Sequence, residues 1–125
     1  MPAPVKNTIN GKYRVYMNYC TVSYSAAWWD WERWQRELDF MAMNSINMPL
    51  SVVGLEAVWY NTLLKHKFTD EEARRFLAGP GHFAWQWMQN LQSYGGPLPK
   101  SWIDKHIVLG KQIIDRELEL GMQPI

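Results

Sequence analysis

The sequence predicts an α/β protein with parallel strands, on three observations. Its elements follow the order strand, helix, strand, helices, strand. Each connection is long enough for the crossover of a dozen or more residues that parallel neighbours require. The last residues, Met122-Gln123-Pro124-Ile125, read as the start of a third strand and echo Asn47-Met48-Pro49-Leu50 in their Pro–aliphatic ending. Three parallel strands without closure leave open edges and uncovered apolar helix faces. Barrel domains routinely need roughly 200–250 residues, so these 125 residues are expected to supply part of a larger unit, cut at the start of strand three.

Each element carries its own signal. Residues 1–12 hold two prolines and Asn10-Gly11 and read as a lead-in; residues 13–125 form the ordered unit. From Tyr13 to Cys20 the chain alternates, with Tyr13, Val15, Met17 and Tyr19 on one side and Arg14, Tyr16, Asn18 and Cys20 on the other, which predicts a strand. Ser25 or Asp30 is placed to cap the helix that follows. Its apolar line runs Trp31, Trp34, Leu38, Met41 and Ala42, with Glu32 and Arg36 paired on the opposite side. Asn44-Ser45 ends this helix, and Ile46–Val53 reads as the second strand. Pro49, lacking an N–H for the ladder, belongs near an end or a bulge.

Gly54 closes that strand, and Glu56–Lys67 is predicted helical. Thr69 and Glu72 have capping-box spacing, with an acidic first turn suited to the helix dipole. Gly79-Pro80-Gly81 stops that helix, His82–Leu91 forms a short one, and Gln92–Pro99 is a loop. A final helix restarts at Ser101 with Asp104, with a stripe of Ile103, Ile107, Gly110, Ile114 and Leu118 and Gly121 as its terminal glycine. About 70 residues separate the second and third strands. Insertions of this kind, after a strand, are where such folds place binding loops.

Composition removes several classes of function. Thirteen Lys+Arg against twelve Asp+Glu give a net charge of +1, without the basic footprint of a nucleic-acid binder. No apolar run approaches the roughly 18 residues of a membrane span, and no charged-then-apolar start reads as a signal peptide. Hydrophobic residues at 47% exclude disorder. The single cysteine, Cys20, cannot form an internal disulfide. No CxxC or HExxH pattern and no GxGxxG or P-loop is present, so neither a metal nor a cofactor is expected. Eight tryptophans, six tyrosines and four phenylalanines are the positive clue. Tryptophan fills cores, and its apolar face also suits the C–H faces of sugar rings.

Candidate chemistry centres on Asn18 and Cys20. Two apart at the C-terminal end of a predicted strand, they share a side, and that end faces the ligand in parallel sheets. Asn18 offers one acceptor and two donors to a sugar hydroxyl or acetamido group. Cys20, with no base beside it, fits pocket lining better than covalent catalysis. Glu56 either hydrogen-bonds a ligand or favours the start of its helix through charge. Glu32, Glu37, Glu71, Glu72 and Glu119 fall on helix surfaces, so no convergent carboxyl pair of the glycosidase kind is found. His66 and His106 read as solvated helix residues, whereas His82, beside Gly79-Pro80-Gly81, leaves a pocket role open. A sugar-binding module without catalysis and a structural fragment are the other classes open at this point.

The run Asn18-Tyr19-Cys20-Thr21-Val22-Ser23-Tyr24-Ser25, followed by Trp28-Trp29-Asp30-Trp31-Glu32-Arg33-Trp34, resembles the opening of the barrel in glycoside hydrolase family 89, the α-N-acetylglucosaminidases. The likeness continues through Asn44–Leu50, Gly54–Trp59, Gly79-Pro80, Ala84-Trp85, Met88, Asn90-Leu91 and Gly96–Pro99, and covers nearly all of residues 13–125. It implies about three βα units of a (β/α)8 TIM-like barrel that removes terminal α-linked N-acetylglucosamine from glycans, in animals from heparan sulfate. It also implies a retaining mechanism with two glutamates beyond Ile125, flanking domains on both sides, and a secreted, periplasmic or lysosomal setting. Asn18 and Cys20 match positions lining the sugar pocket, Trp85 a pocket tryptophan, and Tyr24 and Glu56 motifs near it. Two positions depart from the pattern: Leu55 replaces a commoner Gln, and Ser45 a commoner Gly.

Overall fold

The structure, a computed structural model, describes residues 2–125. Its two strands, β1 (Val15–Tyr16) and β2 (Met48–Pro49), are parallel, with Val15 opposite Met48 and Tyr16 opposite Pro49. Both are much shorter than the alternation predicts. Met17 adopts φ +70° and ends β1; Asn18 then caps a five-residue helix, α1 (Tyr19–Ser23). The last two residues of the predicted first strand, Tyr19 and Cys20, are therefore helical.

β2 is hydrogen-bonded along both edges. Met48 N and Leu50 N donate to Arg14 O and Tyr16 O on the β1 side. On the other side Gln123 N donates to Asn47 O at 2.8 Å, Ile125 N to Pro49 O at 3.1 Å, and Ser51 N to Ile125 O at 2.8 Å. In this alternation the one missing rung is the bond that Pro49 has no N–H to donate to Gln123 O. The expected third strand is represented by this paired tail, and the expected three βα units by two strands and the tail.

The connection from β1 to β2 runs through α2 (Trp31–Met43), whose N-cap is Asp30: its Oδ1 accepts from Arg33 N at 2.9 Å. Trp34, Leu38 and Met41 form the buried line of α2, as the spacing predicts. After β2 come α3 (Leu55–Lys65), α4 (Asp70–Phe76), a 3-10 turn (Pro80–His82), α5 (Phe83–Trp87) and α6 (Lys100–Glu119). The capping box at α4 is complete: Thr69 Oγ1 accepts from Glu72 N, and the Glu72 carboxylate accepts from Thr69 N at 2.8 Å.

Two apolar clusters hold these elements. One joins α3, α4, α5 and α6 through Tyr60, Leu63, Leu77, Phe83, Leu98 and Ile103. The other packs α2 and the second half of α6 against the strands through Trp34, Leu38, Met41, Ile113 and Met122. Gly110 lets α6 lie directly on the turn between β2 and α3, because a Cβ there would sit 2.4 Å from Val53 O. The buried line of α6 is Ile103, Gly110, Ile113 and Glu117. The expected stripe is thus rotated: Ile107, Ile114 and Leu118 remain exposed, because the Gly110 contact, not the run of isoleucines, fixes which side meets the strands.

Four helices end alike. The residue after the C-cap takes a left-handed conformation at Ser45 (φ 61°), Lys67 (67°), Gln89 (66°) and Gly121 (74°). In each case the next N–H reaches back to the carbonyl three residues before the C-cap: Ile46 to Met41, Phe68 to Leu63, Asn90 to Trp85 and Met122 to Glu117. Ser45, the departure from the family pattern, therefore occupies a geometry that glycine adopts without strain.

Candidate active-site wall

Asn18 stands two residues past the C-terminal end of β1, and its side-chain Oδ1 accepts from Thr21 N at 2.9 Å and Thr21 Oγ1 at 3.0 Å. Its acceptor is thereby committed to capping α1, while its side-chain NH2 is exposed and has no partner among the described residues. The left-handed Met17 immediately before it is the kind of backbone strain that costs about 1–3 kcal/mol and persists where a neighbouring group must be aimed. Cys20 is a half-buried free thiol inside α1. The shared face argued from a strand pleat is absent, because one residue caps the helix and the other belongs to it.

α1 packs against α5 in antiparallel fashion. Ser23 Oγ accepts from Ala84 N at 2.8 Å, Tyr19 lies 6.4 Å from Trp87, and Tyr24 meets Trp85 edge to face at 5.1 Å. The carboxamide of Gln86 fixes α5 from behind, donating to Phe76 O and accepting from Ala78 N, both at 2.7 Å. The structure thus brings Tyr24 and Trp85 together in one open cavity, with His82 and Tyr94 on its far wall. Asn18 lies at the other end of α1, outside that cavity.

Glu56 is fully buried in the first turn of α3. Its Oε1 accepts from Trp102 Nε1 at 3.2 Å and lies 2.6 Å from His106 Nδ1. Its Oε2 and the indole N–H of Trp87 are both buried without partners among the described residues and border the same small internal cavity. Neither of the two roles weighed for Glu56 from the sequence includes this one, a tie between α3 and α6. His106 is likewise not a solvated residue. The signal available was its spacing: Trp102 and His106 are four apart on one helix and so share a face. Glu37 also departs from its expected surface position; it is buried, accepting from Tyr16 Oη at 3.1 Å and Arg33 at 2.8 Å.

A second buried carboxylate, Glu117, accepts from Ser51 Oγ through both oxygens at 2.9 and 2.8 Å. Burial pushes its carboxyl up to about 7, against which the Ser51 hydrogen bond acts weakly. Among the described residues no cluster of three or more potential metal ligands occurs.

The arrangement defines a class: a stretch of parallel α/β structure in which α1, after β1, and α5, in the insertion after β2, dock together behind an aromatic cavity. Family 89 glycoside hydrolase structures from Clostridium perfringens have a similar fold over this stretch, with a TM-score of 0.89 and 39% identity over 91% of this chain and 13% of theirs. One holds 2-acetamido-1,2-dideoxynojirimycin; another, with two glutamates replaced by glutamine, holds its substrate GlcNAc-α-1,4-galactose. The family profile of the α-N-acetylglucosaminidase TIM-barrel domain matches residues 14–125, and the chain belongs to that family. Human α-N-acetylglucosaminidase is 42% identical over all 125 residues, which span 17% of its length.

Proposed function

We propose that this chain forms about three βα units of the catalytic barrel of a retaining exo-α-N-acetylglucosaminidase, acting on glycans with terminal α-linked N-acetylglucosamine such as heparan sulfate. Asn18 donates its unclaimed NH2 to the sugar, Cys20 shapes the pocket floor, and Trp85 with Tyr24 offers apolar ring faces to C–H surfaces. Glu56 acts from behind the wall, through His106 and Trp102. The two catalytic glutamates come from the remainder of the barrel, and the 125-residue chain by itself is silent. A secreted, periplasmic or lysosomal setting goes with this reading. Its main support is the close structural likeness to an enzyme solved with a GlcNAc-containing substrate.

The test is release of N-acetylglucosamine from a chromogenic α-N-acetylglucosaminide by the full-length protein that carries this chain. Asn18→Ala is expected to lower kcat/KM several-fold or more. An unchanged value removes Asn18 from the site. No turnover by the unsubstituted protein removes the reading itself, and turnover by the isolated chain would place the carboxylate pair inside it.

A further inference from the structure

Glu56 and Trp87 hold two buried polar atoms of opposite character. Carboxylate Oε2 of Glu56 accepts and indole Nε1 of Trp87 donates, yet neither has a partner among the described residues, and they do not bond each other. Both residues line one cavity of about 10 Å³, walled otherwise by apolar side chains such as Val22, Ala27, Val53 and Phe83. The Glu56 side chain is 1% exposed, so bulk solvent does not satisfy it.

The room and the needs match one water molecule. A water inside a protein takes about 10–15 Å³ and two to four polar partners. Accepting from Trp87 Nε1 and donating to Glu56 Oε2, it meets both needs across a pair that makes no direct bond. Only a carboxylate serves here. Its Oε1 already faces Trp102 Nε1 at 3.2 Å and His106 Nδ1 at 2.6 Å, so the cavity requires a second acceptor oxygen on the same group.

Such a water would tie α5 to α3 and α6. α5 has five residues, too few to hold a helix unaided, so its contacts set its rotation. Ser23 grips Ala84 N, Gln86 grips the α4 end, and Trp87 stacks on Phe83 at 5.2 Å. Trp85 and Trp87 lie about 200° apart around the helix, so turning the inner ring turns the outer one. Resting on the reading above for Trp85, we propose that a single water is bound between Glu56 Oε2 and Trp87 Nε1. Through it Glu56 is a positioning residue for α5, and so for the aim of Trp85.

The test has a crystallographic and a kinetic arm, both in the full-length protein that carries this chain. A crystal structure fine enough to show ordered water is expected to place one within about 3.2 Å of both Glu56 Oε2 and Trp87 Nε1. An empty cavity, or a direct protein partner for either atom, overturns the site. Glu56→Gln leaves one acceptor oxygen where two are needed, and Trp87→Phe removes the indole N–H. On a chromogenic α-N-acetylglucosaminide each is expected to raise KM about three- to fivefold with kcat within about twofold, and the double variant to do no more than the larger single. Losses that multiply in the double variant, a fall in kcat at constant KM, or no change at all overturn the positioning role. An inactive unsubstituted protein overturns the parent reading and leaves the crystallographic arm standing, so the two failures are distinct.

Discussion

Glu56 and Glu117 are the two carboxylates withdrawn furthest from solvent, and the chain treats them differently. Glu56 meets a ring N–H and an imidazole, both on α6, and links two helices of the insertion. Glu117 meets a single serine hydroxyl across the end of β2, and burial holds its carboxyl up at about 7. Equal burial thus comes with unequal hydrogen bonding: two donors from α6 hold Glu56, and one hydroxyl holds Glu117.

The largest effect expected is at the anchored residue. Glu56→Leu leaves the half-buried Trp102 and His106 donors without their acceptor, and an unsatisfied buried polar group costs about 1–3 kcal/mol. Thermal unfolding of the protein is expected to show a large fall in Tm, whereas Glu56→Gln, which keeps an acceptor oxygen, should lose less than half as much. Equal losses would mean that volume, not hydrogen bonding, keeps Glu56 in place.

The pH-sensitive partner comes next. The folded protein holds the Glu117 proton more tightly than the unfolded chain, whose carboxyl titrates near 4.5. Between pH 4.5 and about 7 the native state therefore binds more protons, and stability falls as pH rises. The contribution is fully present below the lower value and lost above the upper one. At about 1.4 kcal/mol per unit its ceiling is about 3 kcal/mol. Glu117→Gln is expected to flatten this slope in denaturant titrations at pH 5 and 7.5; an undiminished slope assigns it to other groups.

α6 carries the partners of Glu56 near one end and Glu117 itself near the other, and Gly110 lies between. Gly110→Ala must push the helix off Val53 O, with a cost of about 1–3 kcal/mol. Because the displacement reaches both ends, it should also raise hydrogen-exchange rates near Trp102 and near Ser51 together. Exchange rising at one end only would uncouple the two environments. The smallest change is expected at Ser45→Gly, which relieves a left-handed residue and should stabilise by about 0.5–1 kcal/mol in the same Tm measurement, giving a backbone effect remote from both carboxylates.

Local signals were the legible ones. Thr69 caps where its spacing says, Asp30 is the one of the two offered caps, Ser25 and Asp30, that starts α2, Gly121 ends α6, and Trp34, Leu38 and Met41 face inward. The first strand was misread because alternation continues from Tyr13 through Cys20, while Asn18, a strong helix cap, overrides it at Met17. The face of α6 was misread because its isoleucines outnumber the single glycine that sets the contact. The pairing of Glu56 with His106, 50 positions apart in sequence, leaves no trace in any local window. Of the candidate site, Tyr24 and Trp85 do meet, and what periodicity could not supply was the antiparallel docking of α1 on α5 that separates them from Asn18.

The absent rung at Pro49 has a structural consequence of its own. A proline in a strand bonded on both edges leaves Gln123 O as the open carbonyl of this ladder, while the bonds from Gln123, Ile125 and Ser51 remain. Gln123 is exposed, so the oxygen that lost its rung can take its hydrogen from water, and solvent gains a foothold in the seam between β2 and the tail.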